Sequence, residues 1–146
     1  MTAEEMWRAF TAQYPPARGA AFEAWAYGDD PEGLLALTLI GRKRATASAL
    51  PLYQIEGEAI PQAEDYSVLL DSHGNAACVL CNTAVRIVPF REVSEEFAAL
   101  EGEGDLSLAY WQQVHEAFFT RALAEAGMTF TPDMPVVCEE FKVVYK

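Results

Sequence analysis

The hydrophobic and polar residues of the chain follow a helical period near the N-terminus. Thr2 and Glu5 have the spacing of a capping box, at the start of a helix that ends before Pro15. Asp30, which a proline follows, has the pattern of a second N-cap, and the apolar segment EGLLALTLI then runs to Gly41. The sequence therefore predicts two helices, the second of which ends at a glycine.

Strand-like patterns begin after this glycine. The segment ATASAL is compatible with a strand, and two further strands are predicted around a turn at Gly74. SEEFAALEGEG predicts a short helix, and Asp105 or Ser107 caps the longest helix, LAYWQQVHEAFFTRALAEAG. The last segment, PVVCEEFKVVYK, alternates as a closing strand with Glu139 and Lys142 on its solvent side.

This order of elements predicts an α+β fold. We expect a mixed sheet, curled into a small barrel, with helices at its rim, and an open α+β sheet is the alternative that propensity does not exclude. A length of 146 residues is that of one domain, and 51% hydrophobic residues are enough for a buried core.

The chain has no feature of a membrane or exported protein. No segment has the roughly 20 consecutive apolar residues of a membrane span, and the N-terminus lacks the basic and apolar regions of an export signal. The three cysteines are an odd number, which favours reduced thiols over a disulfide framework. We therefore expect a cytoplasmic protein that has no membrane partner.

The net charge of −12 argues against loose binding of nucleic acid over the whole surface, because that mode needs many lysine and arginine contacts with phosphates. Arg42, Lys43 and Arg44 are the local exception, directly after the second helix. Such a cluster is typical of a nucleic-acid contact, but it equally complements the dipole at a helix C-terminus. The residues alone do not decide between these two functions.

Two other motifs carry little chemistry. Cys78 and Cys81 have CxxC spacing but lie in a predicted strand, where side chains three apart point to opposite faces and cannot chelate one ion. His73 falls in a turn and His115 on an aromatic helix, without a neighbouring carboxylate pair in sequence. No phosphate-binding glycine loop is present. We therefore expect neither a metal nor another cofactor.

Gly41, Lys43 and Thr46 form the pattern GxKxxT, which the segment AWAYGD precedes and the helix GDLSLAYW...HEAFF follows. In these motifs and their order the chain resembles ASCH domains of the longer bacterial type, from about Phe22 to the C-terminus. The resemblance implies a PUA-like barrel with a cleft at its mouth. It also implies a single domain over residues 1–146 with an N-terminal helical extension over about 1–28.

The resemblance further implies a partner among RNA, nucleotides and modified nucleosides. Lys43 and Thr46 match the family's catalytic lysine and threonine, which act with a glutamate before the later helix. In the loop EGEGD this position is assigned to Glu103 or Asp105, with Glu101 less favoured. The expected activity is metal-independent hydrolysis of the amide of an acylated pyrimidine nucleoside such as N4-acetylcytidine. Ribonuclease action on single-stranded RNA and binding without chemistry are the alternatives.

The physical properties of these residues fit two roles. Between Arg42 and Arg44, like charges and partial burial both favour the neutral amine of Lys43, a base for the Thr46 hydroxyl. If Lys43 stays charged, it is expected to bind a phosphate or stabilise an oxyanion. The two arginines are then predicted to contact substrate.

Three further side chains are candidates for substrate binding. Tyr53 either stacks on a base or packs in the core with its hydroxyl at the edge. Ser107 either lines the cleft or serves as the helix N-cap. Trp25 either forms a stacking wall for a nucleobase or packs between N-terminal helices. A monomer and a homodimer are both compatible with the sequence.

Overall fold

Five strands form one mixed sheet in the computed structural model of the protein, which describes residues 1–146. The strands are β1 (Phe22–Trp25), β2 (Ala45–Ala49), β3 (Tyr66–Leu70), β4 (Ala76–Pro89) and β5 (Pro135–Tyr145). Their order is β1-β3-β4-β5-β2. β1 pairs with β3 in parallel, and the other pairs are antiparallel. The predicted α+β class is confirmed.

Five α-helices connect and cover the strands: α1 (Ala3–Gln13), α2 (Pro31–Leu39), α3 (Leu50–Glu56), α4 (Glu95–Glu101) and α5 (Leu108–Glu125). Short 3-10 turns follow α1 at Pro15–Ala17 and β4 at Phe90–Glu92.

Local capping explains where the predicted helices begin and end. The Thr2 hydroxyl accepts from Glu5 N at 3.1 Å and the Glu5 carboxylate accepts from Thr2 N at 3.0 Å, which is the predicted capping box. Asp30 caps α2 by accepting from Gly33 N at 3.1 Å. Gly41, with φ of +81°, ends the same helix in the left-handed region.

Helices α1 and α2 pack on opposite faces of the sheet. Neighbouring residues of a strand point to opposite sides, so one strand can supply side chains to both helices. Leu69 of β3 belongs to the cluster under α2, whereas Val68 belongs to the cluster under α1. A third and larger cluster joins α4 and α5 to β2 and β5; its most buried members are Ala45, Ala49, Leu123, Val136, Phe119 and Trp111. The segment after Gly41 lies between α2 and α4, because Lys43 N donates to Leu37 O and Arg44 N donates to Leu100 O.

Two elements differ from the sequence prediction. Residues 22–25, which were expected in the helical extension, form β1 and pair with β3. α3 was not predicted at all. Glu139 was expected on the solvent side of the closing strand, but it is half-buried and faces a cavity.

Candidate functional site

The basic segment after α2 docks directly on the acidic loop between α4 and α5. Arg44 N donates to Leu100 O at 2.8 Å. The Arg42 guanidinium donates to Gly102 O and to Gly104 O, both at 2.9 Å. These contacts join two segments that are far apart in sequence, and they assign the Arg42 side chain to fixing the loop.

Gly102 is required where the two segments cross. Its φ is +72°, and a Cβ at this position would lie 2.3 Å from Arg42 O and 2.9 Å from Lys43 Cα. Only a residue without a side chain allows this approach without displacing backbone.

Lys43 is buried at the crossing, with only 2% of its surface exposed. Its Nζ donates to Glu101 Oε1 at 2.8 Å and to Glu103 Oε2 at 3.2 Å, and it lies 3.5 Å from Glu101 O. Three acceptors match the three N–H groups of an ammonium. The charged groups next to Nζ are therefore the carboxylates of Glu101 and Glu103, rather than the flanking arginines.

Glu101 accepts hydrogen bonds on both carboxylate oxygens and is only 1% exposed. Besides Lys43, Trp111 Nε1 donates to Oε2 at 2.5 Å and His115 Nε2 lies 3.2 Å from the same oxygen. Burial by itself opposes ionisation, but the positive charges of Lys43 and His115 outweigh it and lower the pKa of Glu101. The carboxylate therefore remains ionised inside the protein.

The surroundings of His115 favour its charged form. Its Nδ1 lies 2.9 Å from Trp111 O, and its Nε2 faces the Glu101 carboxylate. Because both partners can only accept, this geometry suits an imidazole with a proton on each ring nitrogen. Burial alone would lower the pKa of His115, but the hydrogen bond and charge of Glu101 raise it. His115 was not among the predicted site residues, because its carboxylate partner lies on another element of the chain.

A cavity of about 450 Å³ opens beside this cluster. Lys43, Thr46, Glu101 and Glu103 line it together, so the structure brings the lysine, the threonine and two glutamates to one cleft. Its volume is within the range of about 300–1,000 Å³ that small-molecule sites have.

Four of the predicted side chains do not line this cavity. Arg42 binds loop carbonyls and Arg44 is exposed. The Asp105 carboxylate is also exposed and accepts from Ser107 N at 2.9 Å. Ser107 caps α5 by accepting from Tyr110 N at 3.1 Å. The placement of Asp105 in the cleft is therefore wrong, because its loop turns the carboxylate back toward the helix start.

Aromatic side chains form part of the cavity wall. Trp25 is half-buried and packs edge-on against Tyr27, with ring centroids 5.2 Å apart. Tyr53 lines the same cavity from α3, and its hydroxyl shares a hydrogen bond of 2.8 Å with Ser48 Oγ. The Tyr27 ring lies 5.3 Å from Lys43 Nζ. These rings offer flat apolar surface next to the charged cluster.

Carboxylates dominate the charge of the cavity. Lys43 is the one lysine or arginine in the lining, whereas seven acidic residues contribute: Glu23, Asp29, Glu58, Asp65, Glu101, Glu103 and Glu139. The potential inside is therefore negative, and it repels an anionic group.

Glu139 is a polar residue of the lining that the sequence placed in solvent. Its Oε1 accepts from Asn82 Nδ2 at 3.1 Å. Burial raises the pKa of Glu139. Alternation along β5 indicated two faces of the strand but did not show that this face encloses a cavity.

Glu101, Glu103 and His115 also form a group whose ligand atoms lie within 4.8 Å of one another. Carboxylate and imidazole groups at this distance are potential metal ligands. The ammonium of Lys43 already supplies the positive charge between the two carboxylates. No such group was visible in the sequence, because the three residues belong to different elements.

The CxxC segment lies in β4, as predicted. Cys78 is buried and Cys81 half-buried, and all three cysteines of the chain are free. Burial raises the pKa of Cys78 to about 11, so its thiol is protonated near neutral pH.

Comparisons with known proteins place this geometry in a wider group. A family model described as the ASCH domain matches residues 23–145. The chain is 35% identical to an ASCH domain from Lactobacillus crispatus JV V101, with a TM-score of 0.91 over 98% of this chain and 94% of that one. It is 36% identical to protein EF3133 from Enterococcus faecalis V583, with a TM-score of 0.88 over 97% of this chain and 87% of that one. No curated protein matches the chain. None of its helices is long and apolar enough to span a membrane.

Proposed function

The chain belongs to the ASCH domain family, whose members are generally RNA-binding domains with the PUA-like fold, and from this premise we propose that it hydrolyses the amide of an acylated pyrimidine nucleoside such as N4-acetylcytidine. One observation carries the proposal. Lys43, Thr46 and Glu103 line a single cavity, and Lys43 Nζ lies 3.2 Å from the Glu103 carboxylate. A nucleophile, a proton carrier and an acid or base are thus available at one place.

The charge of the lining favours a nucleoside over a polynucleotide inside the cavity. Even with Glu139 neutral, the six other acidic residues of the lining outnumber its two cations, Lys43 and His115, and repel a phosphodiester, whereas an acylated nucleoside has no charge to repel. The net charge of −12 acts in the same direction at longer range. Ribonuclease action in this cavity is therefore less well supported than hydrolysis of an uncharged substrate.

The proposed first step forms an acyl ester on Thr46. Lys43 passes one ammonium proton to Glu103, and the resulting amine takes the hydroxyl proton of Thr46 as its oxygen attacks the amide carbonyl carbon. The restored ammonium stabilises the oxyanion. The C–N bond then breaks, and the nitrogen of the nucleoside takes the proton from Glu103.

Water completes the reaction. Glu103 takes a proton from the water molecule that attacks the ester, and it returns this proton to the departing Thr46 oxygen. The products are a carboxylic acid and the free nucleoside amine, and all three side chains regain their initial states. Glu101, which holds Lys43 at 2.8 Å, acts as a positioning residue.

Binding without chemistry is the second candidate function. The observation that favours it is the saturation of Lys43, whose three N–H groups all have acceptors in this structure. In this role Trp25 stacks on a base and the cavity holds a nucleoside without turnover.

We also propose that residues 1–146 form a single domain that includes the N-terminal segment. Met6 and Phe10 of α1 pack against Val68 and Val79 of the sheet. Removal of the segment would expose this apolar surface.

The test is release of cytidine from N4-acetylcytidine by the purified protein, with single-stranded RNA as a second substrate. Thr46→Val, which removes the hydroxyl at similar volume, is expected to abolish release. Ser48→Ala is the matched control, because Ser48 is two residues along β2 in the same cavity. Unchanged release by Thr46→Val would refute the nucleophile, tight binding without release would favour the binding role, and cleavage of RNA would favour a ribonuclease.

A further inference from the structure

Glu139 and Asn82 form a polar pair in the cavity that the proposed hydrolysis does not use. Asn82 Nδ2 donates to Glu139 Oε1 at 3.1 Å and to Gln62 O at 3.3 Å. Both N–H groups of the Asn82 amide are thereby occupied. Asn82 is fixed in orientation, and Oε1 of Glu139 is held as the acceptor of the carboxyl group.

Strand register places this pair beside the proposed reaction centre. Thr46 of β2 is paired with Glu139 of β5 in the antiparallel ladder. Residues paired in this way project on the same face, with Cβ atoms about 4.5–5.5 Å apart. A substrate group that reaches the Thr46 hydroxyl therefore lies next to the Glu139 carboxyl group.

No positive charge faces Glu139. It takes part in none of the ion pairs of the structure. The titratable groups around it are Glu23 on β1, Asp65 before β3 and Tyr53 on α3, and none of them is cationic. Burial, together with Asp65 and Glu23, raises the pKa of Glu139 against the lowering effect of the Asn82 hydrogen bond, and this direction favours the neutral form. In that form Oε2 carries the proton, because Oε1 accepts from Asn82.

We propose that Glu139, oriented by Asn82, recognises the amidine edge of a nucleobase, in which a ring nitrogen acceptor stands beside an N–H donor. Cytosine and its N4-acyl derivatives present this edge. The O–H at Oε2 donates to the ring nitrogen, and Oε1, which has a second lone pair, accepts from the N–H. Uracil presents an N–H at the ring position, so two donors would face each other and binding is penalised.

This inference rests on the proposed function only in requiring that the cavity takes a nucleoside. Its test is therefore a binding measurement, isothermal titration calorimetry with cytidine, adenosine and uridine. The wild type is expected to bind cytidine roughly tenfold or more tightly than uridine. Adenosine has the same edge, so binding of adenosine as well as cytidine supports the same recognition without selection by ring size.

Two variants of Glu139 sharpen the test. Glu139→Gln keeps the preference for cytidine, because a carboxamide presents the same donor and acceptor as a neutral carboxyl group. Glu139→Met, which is similar in size but has neither group, loses it. Raising the pH weakens cytidine binding by the wild type more than binding by Glu139→Gln, in which only the other titratable groups of the cavity, such as His115, change their charge. Thermal melts of both variants verify that the fold is retained.

Several results would overturn the recognition role. Equal binding of cytidine and uridine by the wild type would show that Glu139 does not read the base. A preference for uridine that Glu139→Gln abolishes would show that Glu139 acts as an ionised carboxylate. If the protein releases cytidine from N4-acetylcytidine but binds the three nucleosides equally, the recognition role of Glu139 is refuted and the proposed hydrolase activity is not. Preference for cytidine without hydrolysis would refute only the hydrolase, and binding of no nucleoside would refute both.

Discussion

Replacing Lys43 with methionine is expected to destabilise the whole fold. The side chains of Lys43 and Glu101 are only 1% and 2% exposed, and they form the shortest ion pair of the cluster, at 2.8 Å. Methionine fills most of the lysine volume, so the change mainly removes a charge. It leaves the Glu101 carboxylate buried without its closest cation.

The magnitude follows from the burial of the pair. Removing one partner of a buried ion pair costs about 3–5 kcal/mol, whereas an exposed pair is worth about 0–1 kcal/mol. Glu101 keeps Trp111 and His115 as donors, which places the expected loss near the lower end, about 3 kcal/mol. For a domain of this size the corresponding fall in Tm is about 10 °C.

The assay is urea unfolding followed by circular dichroism at neutral pH. Arg44→Met is the matched control, because it also replaces a cationic side chain with methionine, but at an exposed position one residue further along. The double variant Lys43→Met with Glu101→Gln is expected to recover part of the loss, because a neutral amide removes the unpaired charge. A loss below about 1 kcal/mol for Lys43→Met, equal to that of Arg44→Met, would refute this account of the buried charge.

Two further predictions concern the loop and its histidine. Gly102→Ala is expected to lower the free energy of unfolding in urea by about 2 kcal/mol or more, because the new Cβ meets Arg42 O. Gly74→Ala is the control, since Gly74 has a similar φ but nothing within 4 Å, and it should lose about 1 kcal/mol. Equal losses in the two variants would contradict the close contact between Gly102 and the segment after Gly41. His115 has a raised pKa, so its stabilisation is complete below its unfolded value of about 6.5 and is lost as pH rises through the folded pKa. The stability difference between wild type and His115→Gln should therefore shrink as the pH rises above about 6.5, and a constant difference would contradict a charged histidine.

Helix ends were predictable because the interactions that cap them are local. Thr2, Asp30 and Ser107 each bond to a backbone N–H three residues ahead. β1 has only four residues and is defined by parallel pairing with β3, which is remote in sequence. α3 begins after Ala49 without a side-chain cap, so Pro51 in its first turn was the one local signal of its start.

The site was predictable only in part. GxKxxT located Lys43 and Thr46, but the choice among the acidic residues of the loop depended on tertiary contacts. Glu101 is buried because Trp111 and His115, one turn apart on α5, donate to it. A tryptophan and a histidine four residues apart on a helix, directly after an acidic loop, were the sequence signal that could have indicated Glu101 as their acceptor. For Glu139, alternation alone did not show which face of β5 encloses space.

The pairing of β2 with β5 also has a consequence for the order of folding. β2 is an edge strand whose one neighbour is β5, from the opposite end of the chain. Closing so long a loop is entropically costly, and contacts of high contact order are typically made late. Thr46 has no Glu139 beside it until these two strands meet. A partly folded chain therefore contains every residue of the cavity but not the cavity itself.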